Sequence, residues 1–286
     1  MNKFVSLIKN FNELVMFQHS IFSLPFIFIA MIVAANGWFG WFLLLMGVLA
    51  AVTARNFAMG LNRYADRDID AKNPRTASRP SVDGRISSQA ILAFTLLNAF
   101  GFIVIAYFIN DLAFYLSVPI LAVLGSYSYF KRFSALAHII LGVSLGLAPI
   151  AGVVAVQASI PLWSFFLSLG VLFWVAGFDL LYSLQDIAFD KEEGLHSIPS
   201  RFGAKNTFKI AQVFHLLTII FWYLFVQEAD LGVFAYTAVV FSGLMLAYEH
   251  YLVNKDFTKI DRAFFTINGY LGIIFIILII LEKVFI

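Results

Sequence analysis

Oxygen-bearing side chains recur at helical spacing in a first acidic segment. Asn62, Asp66 and Asp70 follow one another at intervals of four residues. Residues at i, i+4 and i+8 share one face of a helix if the helix continues through them. Two carboxylates and an amide on one face suit a hard cation such as Mg²⁺, which usually shares its shell with substrate phosphates. The segment therefore predicts a metal–phosphate site, the alternative being a solvated loop with charges of both signs.

A second acidic segment has a similar arrangement. Asp179, Tyr182, Asp186 and Asp190 also share one helical face, and Asp179 directly follows the apolar run 171–178. Carboxylates four residues apart in a helix repel each other modestly. Two such stripes make sense if cations lie between them, so the pair of segments favours the metal–phosphate site over the solvated surface.

The two segments form a weak internal repeat. The pattern Asn62-x3-Asp66-x3-Asp70 matches Tyr182-x3-Asp186-x3-Asp190 with every position shifted by 120 residues. Similar spacing at corresponding places in the chain predicts two half-bundles that face each other.

The elements that position these residues follow from an apolar composition. The chain of 286 residues is 61% hydrophobic and 13% charged, with a mean hydropathy of +0.88. Soluble domains are about half apolar and about a quarter charged, so the bilayer is the expected solvent. The apolar stretches are continuous and about 18–22 residues long, which predicts spanning helices and not the alternating strands of a barrel.

Two further features of the composition exclude other classes of protein. A net charge of only +2 gives a nucleic-acid partner no electrostatic support. The absence of cysteine excludes disulfides, thiolate nucleophiles and Cys-based zinc sites.

The hydrophobic pattern predicts an all-α membrane protein with about nine transmembrane helices in one bundle. The predicted spans are 20–36, 40–61, 88–108, 112–130, 136–156, 162–182, 207–227, 232–252 and 264–284. Residues 3–18 predict an interfacial helix on the membrane surface, because Phe4, Ile8, Phe11 and Val15 fall on one face. The whole chain, 1–286, is expected to form a single transmembrane domain.

Basic residues alternate between the two sides of the predicted bundle. The connections after spans one, three, five and seven are short and carry no Lys or Arg, whereas those after spans two, four, six and eight hold most of the basic residues. By the positive-inside rule, the basic side is cytoplasmic. Both acidic segments lie on that side, which predicts an active-site cavity facing the cytoplasm.

Other polar residues have two interpretations. Arg55 lies seven residues before Asn62 on nearly the same face, where it could reach a phosphate, snorkel or pair with an aspartate. Lys131 and Arg132 could neutralise a diphosphate or act as an ordinary positive anchor. Three histidines show no ligand spacing and are interpreted as packing or interfacial residues: His138, His215 and His250.

Both acidic segments extend into longer motifs. The first reads Asn62-Arg-Tyr-Ala-Asp66-Arg-Asp-Ile-Asp70-Ala-Lys-Asn-Pro-Arg-Thr-Ala-Ser-Arg-Pro80. The second reads Asp179-Leu-Leu-Tyr182-Ser-Leu-Gln-Asp186-Ile-Ala-Phe-Asp190-Lys-Glu-Glu-Gly-Leu-His-Ser-Ile-Pro199. These motifs resemble the two signatures of the UbiA superfamily of intramembrane aromatic prenyltransferases. The segment 127–132 is similar to a third, lesser motif and 19–25 to the family's first span, so the resemblance covers the whole chain.

The resemblance implies an enzyme that transfers a prenyl group from an isoprenoid diphosphate to a usually aromatic acceptor. Asp66, Asp70, Asp186 and Asp190 would be the catalytic carboxylates and, with Asn62, would hold Mg²⁺ and the diphosphate. The residues expected to bind the substrates are Arg55, Asn62, Arg67, Tyr127, Lys131, Arg132, Asp179 and Tyr182. The second motif is most similar to that of 4-hydroxybenzoate polyprenyltransferases and their relatives of menaquinone synthesis.

The expected activity is Mg²⁺-dependent prenylation of a 4-hydroxybenzoate-type acceptor in quinone biosynthesis, for example of ubiquinone, at a bacterial inner membrane. A dihydroxynaphthoate-type acceptor, which leads to menaquinone, remains the alternative. The prenyl tail would lie in membrane lipid or in a channel open to it. The general base stays unassigned, because a metal-bound carboxylate is a poor base.

A cation-coupled membrane transporter is the alternative from a different class. Transport favours ionisable groups near span centres and helices broken at mid-membrane. Nearly all acidic residues here lie at one face instead. The small residues and proline of the fifth span are the strongest support for transport: Gly142, Gly146, Pro149 and Gly152.

Overall fold

A computed structural model describes residues 3–16 and 24–286 of the chain, and all regular structure in these ranges is helical. The main helices are α1 (Lys3–Val15), α2 (Leu24–Ala34), α3 (Trp41–Ala65), α4 (Arg67–Asp70), α5 (Ser88–Ile109), α6 (Asp111–Phe130), α7 (Ala137–Gln157), α8 (Leu162–Tyr182), α9 (Ile187–Glu192), α10 (Ile198–Glu228), α11 (Val233–Lys255), α12 (Ile260–Arg262) and α13 (Asn268–Phe285). Short 3-10 turns cover Ser183–Asp186 and Phe257–Lys259, and one π turn covers Ala263–Ile267.

The predicted all-helical membrane architecture is confirmed. Eight helical segments of the described chain are long and apolar enough to cross a bilayer, and α2 is a shorter apolar helix. The bounds of α8 coincide with the predicted span 162–182, whereas α3 continues to Ala65, beyond the predicted end. Residues 17–23 lie outside the described part, and with them the end of the predicted interfacial helix and the start of the first span.

Local sequence signals explain where several helices begin and bend. The side chains of Ser87, Asn110 and Ser197 each accept a hydrogen bond from a backbone N–H in the first turn that follows. Such caps satisfy donors that an isolated helix end leaves free. Within α10 the chain kinks at Gly203, whose φ of 76° is favourable only without a Cβ.

Small residues bring α7 close to two neighbours. A Cβ on Gly142 would clash with the carbonyl oxygen of Leu172 in α8, and one on Gly152 would lie 2.5 Å from that of Ile27 in α2. Small residues let membrane helices approach to backbone contact. The predicted glycine and proline pattern of this span is therefore used for packing, because α7 continues through Pro149 without a break.

An aromatic core joins α2 to α8, α10 and α13. The largest fully buried side chains are Trp174, Trp222, Phe26, Phe225 and Phe275. The rings of Phe26 and Trp222 stack with centroids 5.2 Å apart. Aromatic pairs of this kind contribute about 0.5–1.5 kcal/mol beyond their burial. This core fixes α8, whose end carries the second acidic segment.

The polar connections meet at one end of the bundle. Lys72, which follows α4, pairs with Glu193, which follows α9. The backbone N–H of His196 donates to the carbonyl of Lys131, which follows α6. At the opposite end, Glu282 accepts hydrogen bonds from the first backbone N–H groups of α11. The two sides inferred from the alternation of basic residues thus correspond to two structurally distinct ends of the bundle.

Candidate active site

A polar cavity of about 270 Å³ lies between the two acidic segments. Nine residues predicted from the sequence line it: Asn62, Asp66, Asp70, Tyr127, Lys131, Asp179, Tyr182, Asp186 and Asp190. The cavity is formed by the ends of α3, α6 and α8, the start of α7 and the loops that follow α4 and α9. Two stretches of chain more than 100 residues apart therefore face one space.

Both acidic segments bend at their central aspartate. Asp66 has φ −94° and ψ 5°, and Asp186 has φ −99° and ψ 3°. These values belong to the sparsely populated bridge region between helix and strand, which active-site residues often occupy. The condition set for a shared helical face is therefore not fully met, since the helix through Asn62 is interrupted at Asp66 before Asp70. The four-residue spacing survives because Asp66 N–H donates to Asn62 and Asp70 N–H donates to Asp66.

Asp66 is the most enclosed carboxylate of the first segment. Only 2% of the residue is exposed, and its Oδ2 receives Lys131 Nζ at 2.8 Å and Asn62 Nδ2 at 2.6 Å. Its Oδ1 is buried and has no hydrogen-bond partner among the described residues. Burial raises the pKa of Asp66, and the Lys131 ammonium opposes that rise. The Oδ1 oxygen of Asp66 thus remains available to a ligand.

Asp70 is held by an arginine from the following loop. Arg79 Nη1 lies 2.8 Å from Asp70 Oδ1 and 2.7 Å from Oδ2. Only 4% of Asp70 is exposed, so the arginine neutralises a carboxylate that solvent barely reaches.

The second segment takes its cation from the first loop. Arg75 donates from Nη2 to Asp186 Oδ2 at 2.6 Å and from Nε to Oδ1 at 3.2 Å. Asn73 also approaches Asp186, at 3.4 Å, and Arg75 Nη1 lies 3.3 Å from the Tyr182 hydroxyl. Asp190 accepts a hydrogen bond of 2.6 Å from Ser197. The loop after α4 therefore connects both acidic segments.

Asp179 is paired with a histidine at the cavity wall. His138 Nδ1 lies 2.6 Å from Asp179 Oδ2. Both residues line the cavity, and His138 is only 6% exposed. The interpretation of His138 as a simple packing residue therefore misses a contact with a predicted site residue.

An apolar chamber of about 190 Å³ adjoins the polar cavity. It lies between α2, α3, α5, α6 and α7, and its lining is dominated by aliphatic side chains and alanines. Tyr127 and Leu141 line both spaces and mark where they meet. An amphipathic substrate could place its charged end in the cavity and its apolar chain in the chamber.

Three predicted substrate-binding residues are not among those that line the polar cavity: Arg55, Arg67 and Arg132. Arg67 and Arg132 line a separate, open depression, where Arg132 pairs with Asp68 at 2.7 Å. The Arg132 hydrogen bond lowers the pKa of Asp68 to about 2. The bend at Asp66 accounts for the position of Arg67, which follows it directly. Arg132 is held outside the polar cavity by the carbonyl of Ala65 and the carboxylate of Asp68.

Arg55 has a structural contact that its sequence position did not predict. Its Nη2 donates to the carbonyl oxygens of Val15 and Met16 at the end of α1, at 3.4 and 3.0 Å. Guanidinium groups satisfy carbonyls that helix ends leave free. Arg55 also lines the apolar chamber, and its Nε has no partner among the described residues.

The donor set around the cavity fits Mg²⁺. Carboxylate and amide oxygens are its preferred protein ligands, and Asp66 Oδ1 is a buried oxygen without a described partner. Within the described chain, no three His, Asp or Glu side chains lie close enough to hold a metal ion by themselves. Mg²⁺ usually keeps several waters and shares its shell with substrate phosphates.

The fold and the cavity together define an integral membrane protein with a polar site at one end of a helical bundle. Residues 23–277 match the UbiA prenyltransferase family, and the chain belongs to that family. The protein is therefore a prenyltransferase.

Relatives and solved structures agree with this assignment. The chain is 30% identical to a 4-hydroxybenzoate octaprenyltransferase of Burkholderia ambifaria over 85% of its own length and 83% of the relative's. It superposes on a UbiA homologue from Aeropyrum pernix with a TM-score of 0.85 at 30% identity, covering 92% of this chain and 98% of the other. A UbiA homologue from Archaeoglobus fulgidus, solved with DMAPP and Mg²⁺, shares the fold with a TM-score of 0.77 at 20% identity, covering 97% and 100%.

Proposed function

We propose that the protein catalyses Mg²⁺-dependent transfer of a polyprenyl group from an isoprenoid diphosphate to an aromatic acceptor of the 4-hydroxybenzoate type. The observation that carries this proposal is the polar cavity, which carboxylates from two distant segments surround and which adjoins an apolar chamber. The 4-hydroxybenzoate octaprenyltransferases among the relatives supply the class of acceptor.

The diphosphate would bind in the polar cavity. Asn62, Asp66, Asp70, Asp186 and Asp190 would hold Mg²⁺, which when bound supplies positive charge to the leaving diphosphate. In this structure Asp66, Asp70 and Asp186 are neutralised by Lys131, Arg79 and Arg75, respectively. Their N–H groups are placed to donate to phosphate oxygens once the carboxylates turn to the metal.

The chain's own residues would then control the allylic carbon. Donors fixed in the cavity stabilise charge that develops on the diphosphate while the C–O bond breaks. The apolar chamber excludes water, which would otherwise capture the carbocation. Tyr127 lines both spaces, and its ring would stabilise the cation until the aromatic acceptor attacks.

The acceptor needs a counter-charge for its carboxylate. Arg55 is suited to this task because it lines the chamber and has an unpartnered Nε among the described contacts. An acceptor built on dihydroxynaphthoate has the same carboxylate and would bind by the same contact. The whole chain would act as one transmembrane domain in a bacterial inner membrane, with the cavity facing the cytoplasm, as the distribution of basic residues favours.

Purified protein in detergent tests the proposal. It is incubated with Mg²⁺, a prenyl diphosphate and either 4-hydroxybenzoate or 1,4-dihydroxy-2-naphthoate, and product is followed by mass spectrometry. We expect release of diphosphate with prenylated hydroxybenzoate, and no product in EDTA. Preference for the naphthoate would identify the alternative acceptor. No prenylated aromatic from any acceptor, with the protein folded, would refute the proposal.

A further inference from the structure

The His138–Asp179 pair joins two helices at the cavity wall. A carboxylate can only accept a hydrogen bond, so the 2.6 Å contact places the proton of a neutral His138 on Nδ1. Nε2 then carries the lone pair. This nitrogen is buried and has no hydrogen-bond partner among the described residues. The Nδ1 contact therefore orients the histidine, while Nε2 keeps its lone pair for a proton.

Helix packing fixes the position of this pair. His138, Gly142 and Gly146 follow at four-residue intervals on α7. A Cβ on Gly146 would lie 3.0 Å from the carbonyl oxygen of Ser168, and Ser168 Oγ donates to the Gly146 carbonyl at 2.6 Å. The same face of α7 that contacts the backbone of α8 thus presents His138 to Asp179.

The pair lies close to where the two substrates must meet. Leu141, one turn after His138, lines both the polar cavity and the apolar chamber, as does Tyr127. The reacting carbon of a prenyl diphosphate joins the charged head to the apolar chain. It must therefore lie near this junction, and the attacked aromatic ring must lie beside it.

The carboxylates of the two acidic segments are poor candidates for taking the ring proton. Asp66, Asp70 and Asp186 are paired with cations in this structure, and Asp190 accepts a hydrogen bond from Ser197. All four would hold metal in the proposed complex. A carboxylate neutralised in this way has little basicity left. Prenylation nevertheless produces a positively charged ring whose proton has to leave.

We propose that His138 is the general base of the prenyl transfer and that Asp179 is its positioning residue. This inference rests on the proposed aromatic prenylation. The ring carbon forms a bond to the allylic carbon, whose bond to the diphosphate oxygen breaks with the electron pair remaining on that oxygen. The ring C–H bond then breaks, its electron pair restores aromaticity, and the proton moves to His138 Nε2. Asp179 stabilises the imidazolium through Nδ1–H, and the proton passes to solvent when product leaves.

Turnover of ring-deuterated acceptor tests this role. In the wild type, deprotonation follows a slower ionisation, so protiated and deuterated 4-hydroxybenzoate should react at the same rate. His138→Asn keeps a donor near Asp179 but removes the basic nitrogen. We expect kcat to fall by about 10²-fold or more. A normal primary isotope effect should appear in this variant, while the KM for prenyl diphosphate changes little.

Two further variants separate catalysis from packing. His138→Ala should regain turnover with added imidazole. Ser168→Ala removes a contact between α7 and α8 without touching the pair, and should react without an isotope effect. Wild-type inactivity with every acceptor would refute the proposed function instead. With an active wild type, the role of His138 is overturned if His138→Asn retains turnover, or if it loses turnover without an isotope effect and His138→Ala is not rescued by imidazole.

Discussion

The two acidic segments have nearly the same backbone conformation at their central aspartate but differ in their surroundings. Asp66 and Asp186 have nearly the same φ and ψ, and each caps the start of a short helix. Asp66 directly follows α3, whereas a 3-10 turn separates Asp186 from the end of α8. Asp66 is almost fully buried and is held by Lys131, whereas the side chain of Asp186 is 21% exposed and is held by Arg75.

This difference shows that the two segments are not interchangeable halves of a symmetric site. The cations of the first segment come from its own loop and from the end of α6, through Arg79 and Lys131. The second segment borrows Arg75 from the loop of the first. The loop that follows α4 is therefore the element that couples the two acidic segments. Variants in the first segment should differ in their effects from variants in the second.

The largest expected effect comes from removing one carboxylate of each segment. Asp66→Asn and Asp186→Asn should each lower kcat by about 10²–10³-fold, as the loss of one preorganised electrostatic contact typically does. Steady-state assays with prenyl diphosphate and 4-hydroxybenzoate measure this. Unchanged turnover in only one of the two variants would show that its segment lies outside the reaction site.

Lys131→Gln should affect both substrate affinity and folding. It removes a proposed diphosphate contact and leaves the buried Asp66 with Asn62 alone. Loss of a hydrogen bond to a charged group corresponds to about 1.5–3 kcal/mol, so KM for prenyl diphosphate should rise at least about tenfold. The melting temperature in detergent should also fall. A normal KM in a folded variant would remove Lys131 from the diphosphate site.

Arg79→Gln and Arg75→Gln provide a direct comparison of the two segments. Arg79 neutralises a carboxylate whose side chain is only 6% exposed, so its loss should destabilise the fold by about 1.5–3 kcal/mol. Arg75 is more exposed and its loss should change stability by less than about 1 kcal/mol. Thermal unfolding of both variants measures the difference. Equal destabilisation would contradict the asymmetry.

The smallest effect on turnover is expected from substituting Arg132, which follows Lys131 in the sequence. Arg132 pairs with an exposed aspartate outside the cavity, and such surface pairs contribute about 0–1 kcal/mol. Arg132→Gln should therefore leave turnover close to that of the wild type, in contrast to Lys131→Gln. A large rise in KM for prenyl diphosphate would show that the depression around Arg132 belongs to the substrate path.

The long-range architecture was predictable because the bilayer allows few solutions. Continuous apolar runs predicted the spanning helices, and the span 162–182 coincides with α8. The charge alternation placed both acidic segments at one end, where the structure brings them to one cavity.

Side-chain partners were less predictable, since they depend on tertiary contacts. No periodicity links Arg75 to Asp186, 111 residues away, or His138 to Asp179. The direction of Arg67 depends on the bend at Asp66, which helical spacing alone does not show. One signal for His138 was present, because it begins the glycine stripe of the α7 face that packs on α8.

The ion pairs around the cavity also indicate that the enzyme depends on metal for substrate binding and not for folding. Asp66, Asp70 and Asp186 already have cationic partners, so we expect the bundle to fold in the membrane without a bound metal. Magnesium would then bind together with the diphosphate and would not be needed to hold the fold. Chelation should accordingly act as a reversible off-switch that leaves the melting temperature unchanged.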